Sequence, residues 1–165
     1  MFEHSKPPQG PVASILFVCT GNICRSPLAE ALAKAEAEAR NLTLRIESAG
    51  TGAWHVGEAP CENMQVVAKL YGHDLSEKRA RQFVKDDGEF FELVVAMDRR
   101  NLMDLKTFGC KRAAKLGDYG LERADVPDPY YFKGFDGYHE VYALVEKGVK
   151  NLFDAHFGPA KPDGE

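Results

Sequence analysis

Four strand-length segments, residues 15–18, 44–49, 93–97 and 113–116, alternate with longer stretches whose apolar residues recur at helical spacing. Residues 27–40 carry Leu28, Ala31, Leu32, Ala35 and Ala39 on one face, with Glu30, Lys34, Glu36 and Glu38 around the rest. A second helix is predicted over 61–71, with Gly72 where a helix C-terminus favours glycine, and a shorter, less regular one over 79–91. Leu102, Leu105 and Phe108 mark another over 101–108. The longest stripe, Tyr138, Val141, Tyr142, Val145, Val149, Leu152, Phe153 and His156, belongs to a closing helix. Strands and helices alternating at these lengths imply βαβ units with right-handed crossovers. The expected class is α/β, a three-layer sandwich with a four-stranded parallel sheet and helices on both faces. Such sheets bind ligands beyond the C-terminal ends of their strands.

The first strand runs into Cys19-Thr20-Gly21-Asn22-Ile23-Cys24-Arg25-Ser26-Pro27, in which Cys19 and Arg25 bracket five residues. Gly21 and Asn22 tolerate the left-handed backbone of a tight loop, and Pro27 suits the start of the helix that follows. Inward-pointing loop amides, a helix N-terminus and the Arg25 guanidinium would together cradle an anion, with the Cys19 sulfur at the centre. The same surroundings favour thiolate over thiol. Ser26 can donate its hydroxyl to that sulfur as the sulfur departs, and Asn22 is expected to brace the loop through side-chain hydrogen bonds. A sulfur attacking phosphorus also needs an acid to protonate the oxygen that leaves. Asp128 is assigned that role: it precedes Pro129 in a long loop, whereas no histidine lies near Cys19 in sequence. An Asx turn at Asp-Pro is the other use of this residue.

Through Val18 to Pro27, Ser48-Ala49-Gly50-Thr51 and Asp128-Pro129-Tyr130-Tyr131, the chain resembles the low-molecular-weight protein tyrosine phosphatases from about residue 14 to 157. The resemblance implies strand order 2-1-3-4. It implies hydrolysis of phosphotyrosine on a tyrosine-phosphorylated protein, and of small aryl phosphates, through a cysteinyl-phosphate on Cys19. Arg25 would hold the phosphoryl oxygens, and Thr20, Gly21, Asn22, Ile23, Cys24 and Ser26 would line the loop that binds phosphate or vanadate-like oxyanions. Asp128 would then also act as base for the attacking water. Ser48 resembles a serine that supports Asn22, and Trp54, Tyr130 and Tyr131 resemble an aromatic rim around the substrate ring. No metal or cofactor takes part in that chemistry. A reversible disulfide between Cys19 and Cys24 is a further family property.

Many relatives carry a histidine just ahead of the Ala80-Arg81-Gln82 stretch; here Arg79 precedes it and Lys78 is the nearest counterpart, so closure of that network is left open. Protein-arginine phosphatases resemble one another in a threonine where this chain has Ile23, and they lack the paired tyrosines. Arsenate reductases on this fold need closely spaced relay cysteines, which Cys61 and Cys110 do not resemble. A non-catalytic phosphate-binding module would have no use for Asp128.

With 165 residues and 44% hydrophobic content, one domain over 12–157 is expected, between mobile tails at 1–11 and 158–165. No apolar run approaches the roughly 20 residues that span a bilayer, and the first residues lack a signal-peptide core. A cytoplasmic protein without membrane contact is therefore expected. A net charge of −4 without a basic block argues against nucleic acid. The cysteines at 19, 24, 61 and 110 match neither a zinc pattern nor a disulfide scaffold, so reduced thiols are expected, with Cys61 and Cys110 structural. The histidines show no ligand spacing.

Overall fold

The protein is described by a computed structural model over residues 10–129, 132 and 134–159. The strands are β1 (Ser14–Cys19), β2 (Arg45–Gly50), β3 (Leu93–Ala96) and β4 (Ala113–Lys115). The helices are α1 (Arg25–Ala39), α2 (Glu62–Leu70), α3 (Lys85–Phe90), α4 (Arg99–Thr107) and α5 (Asp136–Phe157). The strands form one parallel sheet in the order β2-β1-β3-β4.

All six residues of β1 are buried, as expected of a central strand covered on both faces. Ile15 and Phe17 face a cluster that includes Leu28 of α1, Met64 of α2 and Phe153 of α5. Leu16 and Val18 face the opposite cluster, with Val94, Phe83, Phe91 and Leu105. Burying each such large side chain fully contributes about 1.5–3 kcal/mol. This two-sided burial is why the strands read as apolar runs and the helices as one-sided stripes.

Two elements differ from the sequence expectation. Helix α1 begins at Arg25 rather than Pro27, with Cys24 at its N-cap. Pro27 is thus the third helical residue, still within the first turn, where the helix asks for no backbone N–H. Between 79 and 91 the helix occupies only Lys85–Phe90. Just before it the chain pairs with β2 instead: Gly50 N–H donates to the Arg81 carbonyl at 2.8 Å and Phe83 N–H to the Gly50 carbonyl at 2.7 Å.

Cys19 and Gly50 are register partners, and Met97 N–H donates to the Val18 carbonyl at 3.0 Å. The C-terminal ends of β1, β2 and β3 therefore open on the same edge of the sheet. No helix among the described residues is long and apolar enough to cross a membrane.

Candidate active site

At that edge, residues 19–25 turn back over the end of β1. The turn is tight enough that Asn22 N–H reaches Cys19 Sγ at 3.3 Å, and it requires a positive φ of 58° at Asn22. Asparagine tolerates this region better than most side chains. Gly21 was expected to share that left-handed role, but it is not among the positive-φ glycines. Its value is space: a Cβ there would come within 2.8 Å of the His55 ring.

Cys19 is a free thiol, 2% exposed, with Ser26 Oγ 2.9 Å from its sulfur. Below the loop, Asn22 Nδ2 donates to Ser26 Oγ at 2.8 Å and to Ser48 Oγ at 3.0 Å. Asn22 Oδ1 accepts the Arg81 N–H at 3.0 Å. Ser48 Oγ in turn donates to Glu30 Oε1 at 2.6 Å, and Glu30 Oε2 accepts from Lys78 Nζ at 2.8 Å and Lys34 Nζ at 2.7 Å. The network thus closes on the Lys78 ammonium through Glu30, without a histidine.

Arg25 is 3% exposed, and a buried guanidinium must be paired. Its Nη1 donates to Asp98 Oδ2 at 2.7 Å and to the Val126 carbonyl at 3.0 Å. Burial works against its charge, yet Cys19, Asp98 and Asp128 outweigh burial and raise its pKa above the ordinary value. Asp98 is itself fixed, because Oδ1 caps α4 by accepting Asn101 N–H at 2.8 Å. Asn101 Nδ2 also donates to Thr20 Oγ1 at 3.1 Å, tying the loop to α4.

Cys19, Thr20, Gly21, Ile23, Cys24, Arg25, Trp54, His55 and Asp128 line one cavity of about 340 Å³. Asp128 Oδ2 lies 3.9 Å from Arg25 Nη2. Its loop is anchored by the Val126 N–H, which donates to the Met97 carbonyl at 2.9 Å. Trp54 is 74% exposed at the rim. Tyr130 and Tyr131 lie outside the described residues. A buried thiol at the floor, a paired guanidinium beside it and a carboxyl within reach are the parts needed to bind a tetrahedral oxyanion and exchange a group on it.

The cysteine expectation needs correction. Cys24 is bonded to Cys61, with 5.5 Å between their Cα atoms, so in this structure it is not the reduced thiol expected and its partner is Cys61 rather than Cys19. Cys61, expected to be structural, is tied to the loop a second time: its N–H donates to the Ile23 carbonyl at 2.7 Å, which docks the start of α2 there. Cys110 is free and buried, as a structural cysteine would be.

The sequence reading also passed over Glu30, Asp98, Asn101 and His55. Glu30 had no local signal for this role, because Ser48 and Lys78, which join it to the network, lie 18 and 48 residues away. Asp98 stands between a strand and a helix, the usual place of a capping aspartate. Lining by His55 had no local signal.

The sequence model of the family described as low molecular weight phosphotyrosine protein phosphatase matches residues 14–158. The chain is 39% identical over 147 residues to the low molecular weight protein-tyrosine-phosphatase YfkJ of Bacillus subtilis, covering 84% of this chain and 92% of that protein. A crystal structure of a protein tyrosine phosphatase from Entamoeba histolytica, with Hepes in its active site, is similar at a TM-score of 0.80 and 34% identity, covering 85% of this chain and 94% of that one. A Drosophila arginine phosphatase is similar at a TM-score of 0.78 and 31% identity, covering 85% and 95%. The loop at the end of β1 is thus found in a chain matched along nearly its whole folded length, and the chain belongs to the family of low molecular weight phosphotyrosine protein phosphatases.

Proposed function

We propose that this enzyme hydrolyses phosphotyrosine on proteins through a covalent phosphate intermediate on Cys19. The observation that carries the reading is that Cys19, Arg25 and Asp128 line a single cavity at the edge of the sheet. In the first half-reaction the Cys19 thiolate attacks phosphorus. The sulfur–phosphorus bond forms as the ester bond breaks, and the Asp128 carboxylic acid gives its proton to the departing phenolate oxygen. In the second, water attacks the phosphocysteine, Asp128 carboxylate takes a water proton, and Cys19 leaves as thiolate. Ser26 Oγ, 2.9 Å from the sulfur, supports that departure. Arg25 meets the equatorial oxygens without reorganising, since Asp98 and Val126 already hold it. Inorganic phosphate and vanadate would occupy the same cradle.

An aromatic substrate is supported by Ile23 and Trp54 in the cavity lining, and by the family resemblance, which assigns Tyr130 and Tyr131 to the substrate rim. The similarity to an arginine phosphatase means that the fold alone does not select the substrate. Ile23, where the arginine branch carries threonine, favours the aryl ester, and phosphoarginine is the control substrate.

The test compares Asp128→Asn with the native enzyme on phenyl phosphate, a poor leaving group, and p-nitrophenyl phosphate, a good one. Loss of general-acid help is expected to slow phenyl phosphate by about 10²-fold or more and p-nitrophenyl phosphate far less. Equal losses on both would remove Asp128 from the acid role. Cys19→Ser is expected to abolish turnover of either ester.

A further inference from the structure

The Cys24–Cys61 disulfide joins the phosphate loop to a residue 37 positions away, while Cys19, five residues before Cys24, remains a free thiol. Cys24 is the N-cap of α1 and Cys61 the N-cap of α2. The start of a helix therefore fixes the backbone position of each of the two cysteines. The Cys61 N–H to Ile23 carbonyl bond holds Cys61 against the loop through a contact that does not involve the sulfurs. On the other side of Cys24, the loop curls back and Cys19 and Cys24 line the same cavity. Three cysteines thus stand in series, with Cys24 in the middle. Cys110 is outside the series, and burial pushes its thiol up from its ordinary value.

Building on the nucleophilic thiolate of the proposed reaction, we infer that Cys19, Cys24 and Cys61 form an ordered relay that moves a peroxide lesion off the nucleophile and stores it as the Cys24–Cys61 disulfide. Cys19 thiolate first attacks hydrogen peroxide: a sulfur–oxygen bond forms, the oxygen–oxygen bond breaks and hydroxide leaves, giving a sulfenic acid. Cys24 thiolate then attacks the Cys19 sulfur, and the hydroxyl departs as water after taking a proton from solvent. Finally Cys61 thiolate attacks the Cys24 sulfur and expels Cys19 as thiolate. One peroxide and two thiols have become one disulfide and two waters.

The leaving group sets the direction. Cys19 Sγ is hydrogen-bonded by Ser26 and Asn22, beside Arg25, so it is the sulfur best able to depart with the electron pair. The end state is the arrangement present in the structure, a free Cys19 beside a closed Cys24–Cys61 bond. Without Cys61, the lesion would stay on the nucleophile as a Cys19–Cys24 disulfide.

The full chain, reduced and desalted, is given one equivalent of hydrogen peroxide without added thiol. p-Nitrophenyl phosphate turnover is followed while alkylated samples are mapped by mass spectrometry. Native enzyme is expected to lose activity and regain nearly all of it, with Cys24–Cys61 as the final disulfide. Cys61→Ser, with untreated activity equal to native, is expected to end as the Cys19–Cys24 disulfide and to recover only with dithiothreitol. Cys61→Ala, checked by thermal melting, repeats the result if folding is intact. Cys19→Ser is expected to form Cys24–Cys61 far more slowly than native, a readout that needs no phosphatase activity. Unaided recovery of both Cys61 variants at the native rate, or disulfide formation in Cys19→Ser as fast as in native, would overturn the relay. Disulfides appearing in the stated order in a chain that hydrolyses no aryl phosphate would sink the phosphatase reading and leave the relay standing.

Discussion

Asn22 Nδ2 can only donate, and this fixes the sense of each hydrogen bond around it. Because Ser26 and Ser48 both accept from Asn22, their own protons must point elsewhere. The Ser48 proton goes to Glu30 Oε1, and the Ser26 proton has two acceptors, Cys19 Sγ at 2.9 Å and the Ala49 carbonyl at 3.5 Å, of which the sulfur is the nearer. Burial opposes a charge on Glu30, but hydrogen bonds from Lys34, Lys78 and Ser48 outweigh it and hold the carboxyl below its ordinary value of 4.5. A depressed folded pKa contributes stability that is fully present above the unfolded value and lost as pH falls through the folded one. Glu30→Gln is therefore expected to cost about 1–3 kcal/mol at neutral pH in urea unfolding, as for a lost charged hydrogen-bond set. The gap to native should shrink as pH drops below 4.5, the ordinary carboxyl value. A gap that stays constant well below that pH would show that the charge of Glu30 does not supply the stability. In the sequence Glu30 reads as one more polar residue of an amphipathic helix. Its partners Ser48 and Lys78 lie 18 and 48 residues away, so only the fold could reveal the pairing.

The loop after β1 is held by the chain that continues from the neighbouring strand, β2. Thr51 N–H donates to the Cys19 carbonyl at 2.9 Å and Gly52 N–H to the Thr20 carbonyl at 3.0 Å, so β2 continues to pair with the loop after β1 past the end of the strand. A Cβ on Gly50 would sit 2.7 Å from the Thr20 carbonyl oxygen and 3.1 Å from Asn22 N, both backbone atoms that cannot swing aside. Gly50→Ala is expected to displace the loop and lower kcat by about 10²-fold, the scale of a 1 Å misplacement of reacting groups. Unchanged kcat with a normal far-ultraviolet spectrum would show that the loop has slack. At this scale the sequence was informative. The four strands and the longer helices are legible because both faces of the sheet are buried, which imposes apolar runs on strands such as β1 and one-sided stripes on α1 and α5. Residues 79–91 were misread because a six-residue helix gives too few turns to show a period, and because Gln82 is held by a bridge to Gly50 rather than by local preference.

The cavity is assembled from parts that are far apart along the chain: Cys19 and Arg25 at the end of β1, Trp54 and His55 after β2, and Asp128 from the loop after β4. Asp98, after β3, meets Arg25 across 73 residues of sequence. An oxyanion that binds only when all of these are in place must stabilise the whole fold, because the unfolded chain offers no such cradle. Linkage gives the size: at 100 times its dissociation constant, a ligand that binds only the folded state adds about 2.7 kcal/mol. For a chain of this length each kcal/mol moves the melting temperature by roughly 2–4 °C. Saturating inorganic phosphate is therefore expected to raise the Tm of the native protein by about 5–10 °C. Arg25→Ala will melt lower from the outset, because it leaves Asp98 without its guanidinium. The informative quantity is the shift that phosphate produces within that variant, which should fall nearly to zero. A shift in Arg25→Ala as large as in the native protein would mean that phosphate stabilises some other surface and that the loop after β1 is not where the anion binds.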